Sequence, residues 1–101
     1  MNDAAPEHKR IHAIVSGRVQ GVSFRYYTVQ IARQLRLTGW VRNRSDGTVE
    51  AVAEGEVSAI ERLITFLHQG PPAARVDDVQ IEWQAPLSDF DSFEVRYFSR
   101  D

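Results

Sequence analysis

Two helix-like periodic segments separated by a pair of short β runs, which a tight turn must join, restrict this chain more than any other feature. In the first segment Phe24, Tyr27, Ile31 and Leu35 lie at offsets 0, 3, 7 and 11, so a helix is expected from Phe24 to Leu37 with Gly39 as its stop. The second opens on Ser58-Ala59-Ile60-Glu61, which has the spacing of a capping box. It continues through Leu63, Ile64 and Leu67 and meets Gly70-Pro71-Pro72. Between them, Trp40 to Arg44 and Thr48 to Ala53 flank Ser45-Asp46-Gly47. Asp-Gly between two such runs predicts an antiparallel hairpin.

Further strand-like segments bracket this centre. Arg10 to Ser16 places Ile11, Ala13 and Val15 on one face and Ile14 on the other, Val76 to Trp83 supplies Val76, Val79, Ile81 and Trp83, and Ser92 to Phe98 alternates Phe93, Val95 and Tyr97. The order βαββαβ plus one more strand specifies an α+β fold. It is a ferredoxin-like split-βαβ sandwich, with a mostly antiparallel sheet, an extra C-terminal strand and both helices on one face. A length of 101 residues, 43% of them hydrophobic, suits a single core. Residues 9–101 are therefore expected to form one domain behind a flexible, polar, proline-interrupted segment 1–8.

Composition removes several classes of function. The chain has no cysteine, which excludes disulfides, thiolate nucleophiles and cysteine-ligated zinc and agrees with a reducing compartment. The N-terminus is too polar for a signal peptide and no later run has membrane-spanning length, so a cytoplasmic protein without membrane contact is expected. A monomer is expected because no long exposed apolar stripe is left over. The net charge of −2 conceals an asymmetry: Lys9 to Ser45 holds eight basic residues and no acid, whereas twelve acids and four arginines follow. One part of the molecule should attract small anions, while the acidic balance argues against nucleic acid as the partner.

The basic stretch contains Gly17-Arg18-Val19-Gln20-Gly21-Val22-Ser23-Phe24-Arg25, a glycine-containing passage from strand to helix. Glycines allow a tight turn and close approach of a ligand, and the first amides of a helix lack intrahelical partners and lie at the positive end of its dipole. Arg25, in the first helical turn, adds a planar pair of donors. The run reads as an anion cradle. It is neither the G-x-x-x-x-G-K-[ST] nucleotide loop nor the G-x-G-x-x-G dinucleotide fingerprint.

This run resembles the first signature of the acylphosphatases. Gly39-Trp40-Val41-Arg42-Asn43, followed by Gly47, Val49 and Gly55, resembles their second, and Phe93-Glu94-Val95-Arg96-Tyr97 is similar to the family's ending. The resemblance covers nearly the whole chain and implies hydrolysis of small acyl phosphates to a carboxylate and inorganic phosphate, with no metal or other cofactor. It implies that Arg25 and the backbone amides of Gln20, Gly21, Val22, Ser23, Phe24 and Arg25 hold the phosphoryl group, and that Asn43 orients the attacking water. Arg44 stands where many relatives carry threonine, and Phe98 to Asp101 extend past the tyrosine at which some relatives end. The acyl group stays open among 1,3-bisphosphoglycerate, carbamoyl phosphate, acetyl phosphate and a phosphorylated protein side chain.

The chemistry is physically sensible. Phosphoryl transfer from a carboxylate leaving group needs positioning and charge stabilisation more than a strong base, and His8, His12 and His68 all fall outside both motifs. Blander assignments compete at single positions. Arg18 reads as a solvated loop charge, His12 as a strand residue, Asn43 as a side chain capping the Asp46-Gly47 turn, and Phe24, Tyr27, Trp40 and Trp83 as packing residues. Two other functions fit the fold class: an RNA-binding module, which needs aromatics that Ile11 to Ser16 and Thr48 to Ala53 lack, and an anion-sensing domain without turnover. A third possibility is the acylphosphatase-like head of larger hydrogenase maturation proteins, which carry cysteine-rich zinc motifs absent here.

Overall fold

The computed structural model describes residues 6–97. Alternating apolar side chains build a five-stranded sheet from β1 (His8–Arg18), β2 (Thr38–Asn43), β3 (Val49–Glu56), β4 (Arg75–Gln84) and β5 (Phe93–Val95), with α1 (Phe24–Gln34) and α2 (Val57–Gln69) between them. The strand order is β4-β1-β3-β2-β5, antiparallel throughout except for β5, which runs parallel to β2. This is the expected ferredoxin-like α+β sandwich with its extra strand. Ile11, Ala13, Val15, Val41, Val49, Ala51 and Ala53 form one sheet face and share a single core with Phe24, Val29, Ala32, Ile60, Leu63 and Leu67 of the two helices. No helix among the described residues is long and apolar enough to cross a membrane.

Several boundaries differ from expectation, each for a local reason. Helix α1 ends at Gln34 rather than Leu37 because Arg36 takes a left-handed φ of 60°. The Arg36 N–H then donates to Arg33 O and the Leu37 N–H to Ala32 O, closing the helix as a Schellman motif with arginine where glycine is usual. Gly39, expected as the stop, lies instead inside β2. A Cβ there would come 1.9 Å from the Val52 carbonyl oxygen, so its role is close strand approach. The buried stripe of α1 is Phe24, Thr28, Val29 and Ala32; Tyr27 is exposed, and Thr28 is buried because its hydroxyl donates to Phe24 O. The buried row thus follows the i, i+4, i+8 spacing of Phe24, Thr28 and Ala32, which turns the smaller residues toward the sheet, rather than the Phe24, Tyr27, Ile31, Leu35 spacing.

The capping box at Ser58 does not form. The strand β3 runs straight into α2 with Glu56 as an extended N-cap, and the Val57 N–H donates to the Glu7 carbonyl at 3.0 Å, so the segment just ahead of β1 satisfies the helix end. Gly70, at φ 70°, ends α2 as expected. Strand β1 continues through Arg18 with a register shift between Ser16 and Gly17, so Gly17 and Arg18 belong to the strand end and only Val19 to Ser23 form the connecting loop. The expected flexible segment lies outside the described residues for its first five positions, as do Phe98 at the end of the expected last strand and the rest of the C-terminal extension.

Candidate active site

The loop Val19–Ser23 enters α1 with Gly21 at φ 74° and Ser23 at φ 64°. Two left-handed residues in so short a span fold the backbone into a concave arc, a shape in which successive N–H groups converge. Glycine takes that conformation without the steric cost that Ser23 carries. The helical ladder opens with the Tyr27 N–H donating to Ser23 O at 3.1 Å, and the Ser23 side chain makes no capping bond. Hence the N–H groups of Phe24, Arg25 and Tyr26 have no intrahelical acceptor, at the positive end of the α1 dipole. The ring of Phe24 is buried, 5.8 Å from that of Phe66, so this residue anchors the helix start in the core and offers the loop only its backbone.

The loop is fastened to the hairpin that carries Asn43. The Gln20 side-chain amide donates to the Arg44 carbonyl at 2.8 Å and to the Thr48 carbonyl at 2.9 Å, using both of its hydrogens on the two ends of the β2–β3 turn. The turn itself is held by Asp46, which accepts from the Thr48 N–H and hydroxyl and has its carboxyl lowered below 3.8, chiefly by those bonds. Asn43 is therefore not needed as the cap. Its Oδ1 is buried and accepts no hydrogen bond from the described residues. A buried amide oxygen left unmet costs about 1–3 kcal/mol, so this acceptor calls for a donor from solvent or ligand.

Arg25 and Asn43, brought from α1 and β2, line one open cleft of about 650 Å³ together with Gly21, Ser23 and Phe24. The guanidinium of Arg25 lies over the Tyr97 ring, 5.4 Å from its centroid, a contact that orients the fork while leaving its in-plane donors available. No histidine lines the cleft. Its carboxylate is Glu94, which is paired with Arg33 eight residues beyond Arg25 on α1, about 12 Å along the axis. Among the described residues no group of three or more histidine or acidic side chains is placed to hold a metal ion. The arrangement can bind a compact anion against amides and one guanidinium, and present an amide oxygen to a donor beside it.

Residues 11–95 match the model of the acylphosphatase family. The chain belongs to the acylphosphatase family. It is 51% identical to an acylphosphatase from Anaeromyxobacter dehalogenans over 87% of this chain and 95% of that protein. The acylphosphatase structure from Bacillus subtilis superposes with a TM-score of 0.85 at 37% identity, covering 88% of this chain and 99% of that one. The acylphosphatase from Coxiella burnetii gives 0.83 at 46% identity, covering 88% and 93%. As in the family name, the activity is that of a hydrolase.

Within this acylphosphatase domain, the arginines expected to act together are divided. Arg10 donates to Asp89 and stacks on Phe90, Arg42 pairs with Glu50 and Arg18 is exposed at the end of β1, whereas Arg25 and Arg33 line the cleft. A run of charge in sequence becomes a patch only if its strands and helix aim it one way. Trp40, expected as a packing residue, has the guanidinium groups of Arg42 and Arg96 over its ring, 5.4 and 4.7 Å from the centroid, and Trp83 is 42% exposed. Sequence reasoning missed Tyr97, Arg33 and Glu94 as cleft residues. Their only signal was Tyr97 within the ending motif, and nothing local says that β5 returns parallel to β2.

Proposed function

We propose that the protein hydrolyses the carboxyl–phosphate bond of small acyl phosphates at the Arg25–Asn43 cleft. The backbone amides from Gln20 to Arg25 and the Arg25 guanidinium bind the phosphoryl oxygens, and Asn43 Oδ1 accepts a hydrogen bond from the attacking water. Water oxygen bonds to phosphorus as the phosphorus–oxygen bond to the acyl group breaks. The carboxylate leaves with the bond pair, and the water's proton passes to a phosphoryl oxygen, giving inorganic phosphate. An amide cannot serve as a base near neutral pH, so Asn43 aligns and does not deprotonate; a loose transition state tolerates this. The observation that carries the proposal is the buried, unmet Asn43 Oδ1 in the same cleft as Arg25 and the open helix start.

Phosphate release from benzoyl phosphate with EDTA present tests it, beside Arg25→Ala and Asn43→Ala. Metal-independent turnover lost in both variants is expected; a folded wild-type protein without turnover leaves an anion-binding domain instead. An RNA-binding role is disfavoured because the sheet face opposite the helices is occupied by the His12–Glu50–Arg42 contacts and by residues 87 and 88, whose N–H groups bind Glu54. We further place the protein in the cytoplasm as a monomer, supported by the cysteine-free sequence and by the gathering of apolar side chains into one core. Light scattering tests the monomer.

A further inference from the structure

Among the described residues, three that are not glycine take a left-handed backbone: Ser23, Arg36 and Ser88. For two of them, bonds within the fold account for it. At Arg36 the turn lets its own N–H and that of Leu37 close α1, and at Ser88 it aims the N–H groups of Leu87 and Ser88 at one Glu54 oxygen, each at 2.8 Å. Ser23, at φ 64° and ψ 25°, has no comparable partner. Its side chain makes no capping bond and no other hydrogen bond with the described residues, and its carbonyl accepts only the Tyr27 N–H that opens the helical ladder. A strained conformation without internal compensation is characteristic of ligand clamps, where the strain belongs to pre-organisation. Ser23 lines the cleft that holds Arg25 and the buried Asn43 Oδ1, which accepts no hydrogen bond from the described residues.

Serine is also among the residues best suited to close a helix start. In the extended conformation usual at an N-cap, its oxygen accepts from the second or third helical N–H, which here belong to Arg25 and Tyr26. The two helices show the two outcomes. Glu56, before α2, is an extended N-cap and the following Val57 N–H is taken by Glu7 O, whereas left-handed Ser23 leaves the first amides of α1 without an intrahelical acceptor. We infer that Ser23 is a positioning residue whose left-handed backbone holds its own hydroxyl off the helix start and so keeps the cradle open to the phosphoryl group. The inference rests on the Arg25–Asn43 cleft being the hydrolytic centre. Extended, self-capped Ser23 is the competing state, and an anion selects the left-handed one by occupying the amides that the hydroxyl would take. Residue 23 thereby sets phosphate affinity, because the apparent affinity is the intrinsic one reduced by the fraction of molecules whose cradle is open.

The test measures competitive inhibition by inorganic phosphate, and kcat and KM on benzoyl phosphate, for the full-length wild type, Ser23→Gly, Ser23→Val and Ser23→Thr. Glycine adopts the left-handed conformation freely and has no hydroxyl. Valine and threonine share a β-branch that disfavours it, and of the two only threonine can cap. Phosphate should bind Ser23→Gly more tightly than wild type, by up to about fivefold, and Ser23→Val more weakly. Ser23→Thr should be weaker again than Ser23→Val by about fivefold, the usual worth of one N-cap. KM should follow that order and kcat should move less, since bound substrate has already selected the open state. Without phosphate, hydrogen exchange should find the Arg25 or Tyr26 amide better protected in Ser23→Thr than in Ser23→Val. If a β-branched variant fails to fold, wild type against Ser23→Gly still carries the sign. Equal losses and equal protection in Ser23→Val and Ser23→Thr, or weaker phosphate binding by Ser23→Gly, overturn the inference while wild-type turnover keeps the hydrolytic centre. Folded wild type that neither hydrolyses benzoyl phosphate nor binds phosphate removes both.

Discussion

Arg42 and Asn43 are neighbours in β2 and face opposite sides of the sheet. On the open side Arg42 donates to Glu50 Oε1 at 2.6 Å and the same carboxylate meets His12 Nε2 at 2.6 Å, so these three side chains partner one another. On the helix side Asn43 Oδ1 is buried and accepts no hydrogen bond from the described residues, in the same cleft as an arginine and a helix start whose amides have no intrahelical acceptor. Both sides hold guanidinium groups and polar side chains. The difference lies in satisfaction: the open side uses its charges on itself, and the helix side leaves them for a ligand. The proposed chemistry sits on the less satisfied side, although the other holds more ion pairs.

Substitutions on the two sides should separate activity from stability. The largest effect is expected for Arg25→Lys, which keeps the charge and loses the planar fork: kcat/KM should fall by about 10²–10³, the usual cost of one preorganised donor, with the melting temperature unchanged. Near-normal turnover in a steady-state assay would break the contrast at its centre. Asn43→Ala should lower kcat by a similar factor of about 10² while inhibition by inorganic phosphate stays close to wild type; a parallel loss of phosphate inhibition would move Asn43 into the cradle.

Glu50→Gln acts in the opposite sense. Urea unfolding should show a loss of about 1–3 kcal/mol, because His12 and Arg42 lose a charged acceptor in a largely buried place, with kcat/KM little changed. A pH series sharpens this. Burial alone would raise the Glu50 carboxyl, but hydrogen bonds from His12 and Arg42 and their charges outweigh it and hold it below its ordinary value of 4.5. The unfolded chain then binds the proton more readily, so the Glu50 contribution is fully present above about pH 4.5 and is lost as pH falls through the folded value. Wild type should lose stability across that acid range more steeply than Glu50→Gln, and equal slopes would mean the network carries no charge-linked stability.

The smallest effect is expected at the tether between the loop and the hairpin. Gln20→Ala removes two hydrogen bonds between the loop and the Asn43 hairpin, together about 1–3 kcal/mol, and should lower kcat several-fold with phosphate inhibition retained. In a double-mutant cycle its effect should vanish on an Asn43→Ala background; full additivity would show that the tether does not position Asn43.

Much of the fold was legible in sequence because its signals are local. Alternation in Ile11, Ala13 and Val15, the Asp46-Gly47 turn and Gly70 as a helix stop each act within a few residues. Errors arose where a distant partner replaced a local device. Glu7, just ahead of β1, meets the Val57 N–H in place of a Ser58 cap, whereas α1 ends early for a local reason, Arg36 taking the left-handed conformation that glycine usually supplies. The site followed the same division. Gln20, Gly21, Arg25 and Asn43 stand in motifs that sequence exposes, but the Gln20 tether depends on carbonyls 24 and 28 residues away.

By itself the sequence determined the order of elements, the two glycine-containing motifs and the candidate pair Arg25 and Asn43, since periodicity and turn chemistry are properties of neighbouring residues. Tertiary structure alone decided which of eight clustered basic residues remain for a ligand. Strand alternation sends Arg42 and Asn43 to opposite faces, β1 carries Arg10 and Arg18 at different ends, and the parallel return of β5 beside β2 brings Glu94 and Tyr97 to the cleft. Whether a side chain is satisfied depends on what the rest of the chain places within hydrogen-bonding distance of it, and that distance is fixed only when the sheet closes.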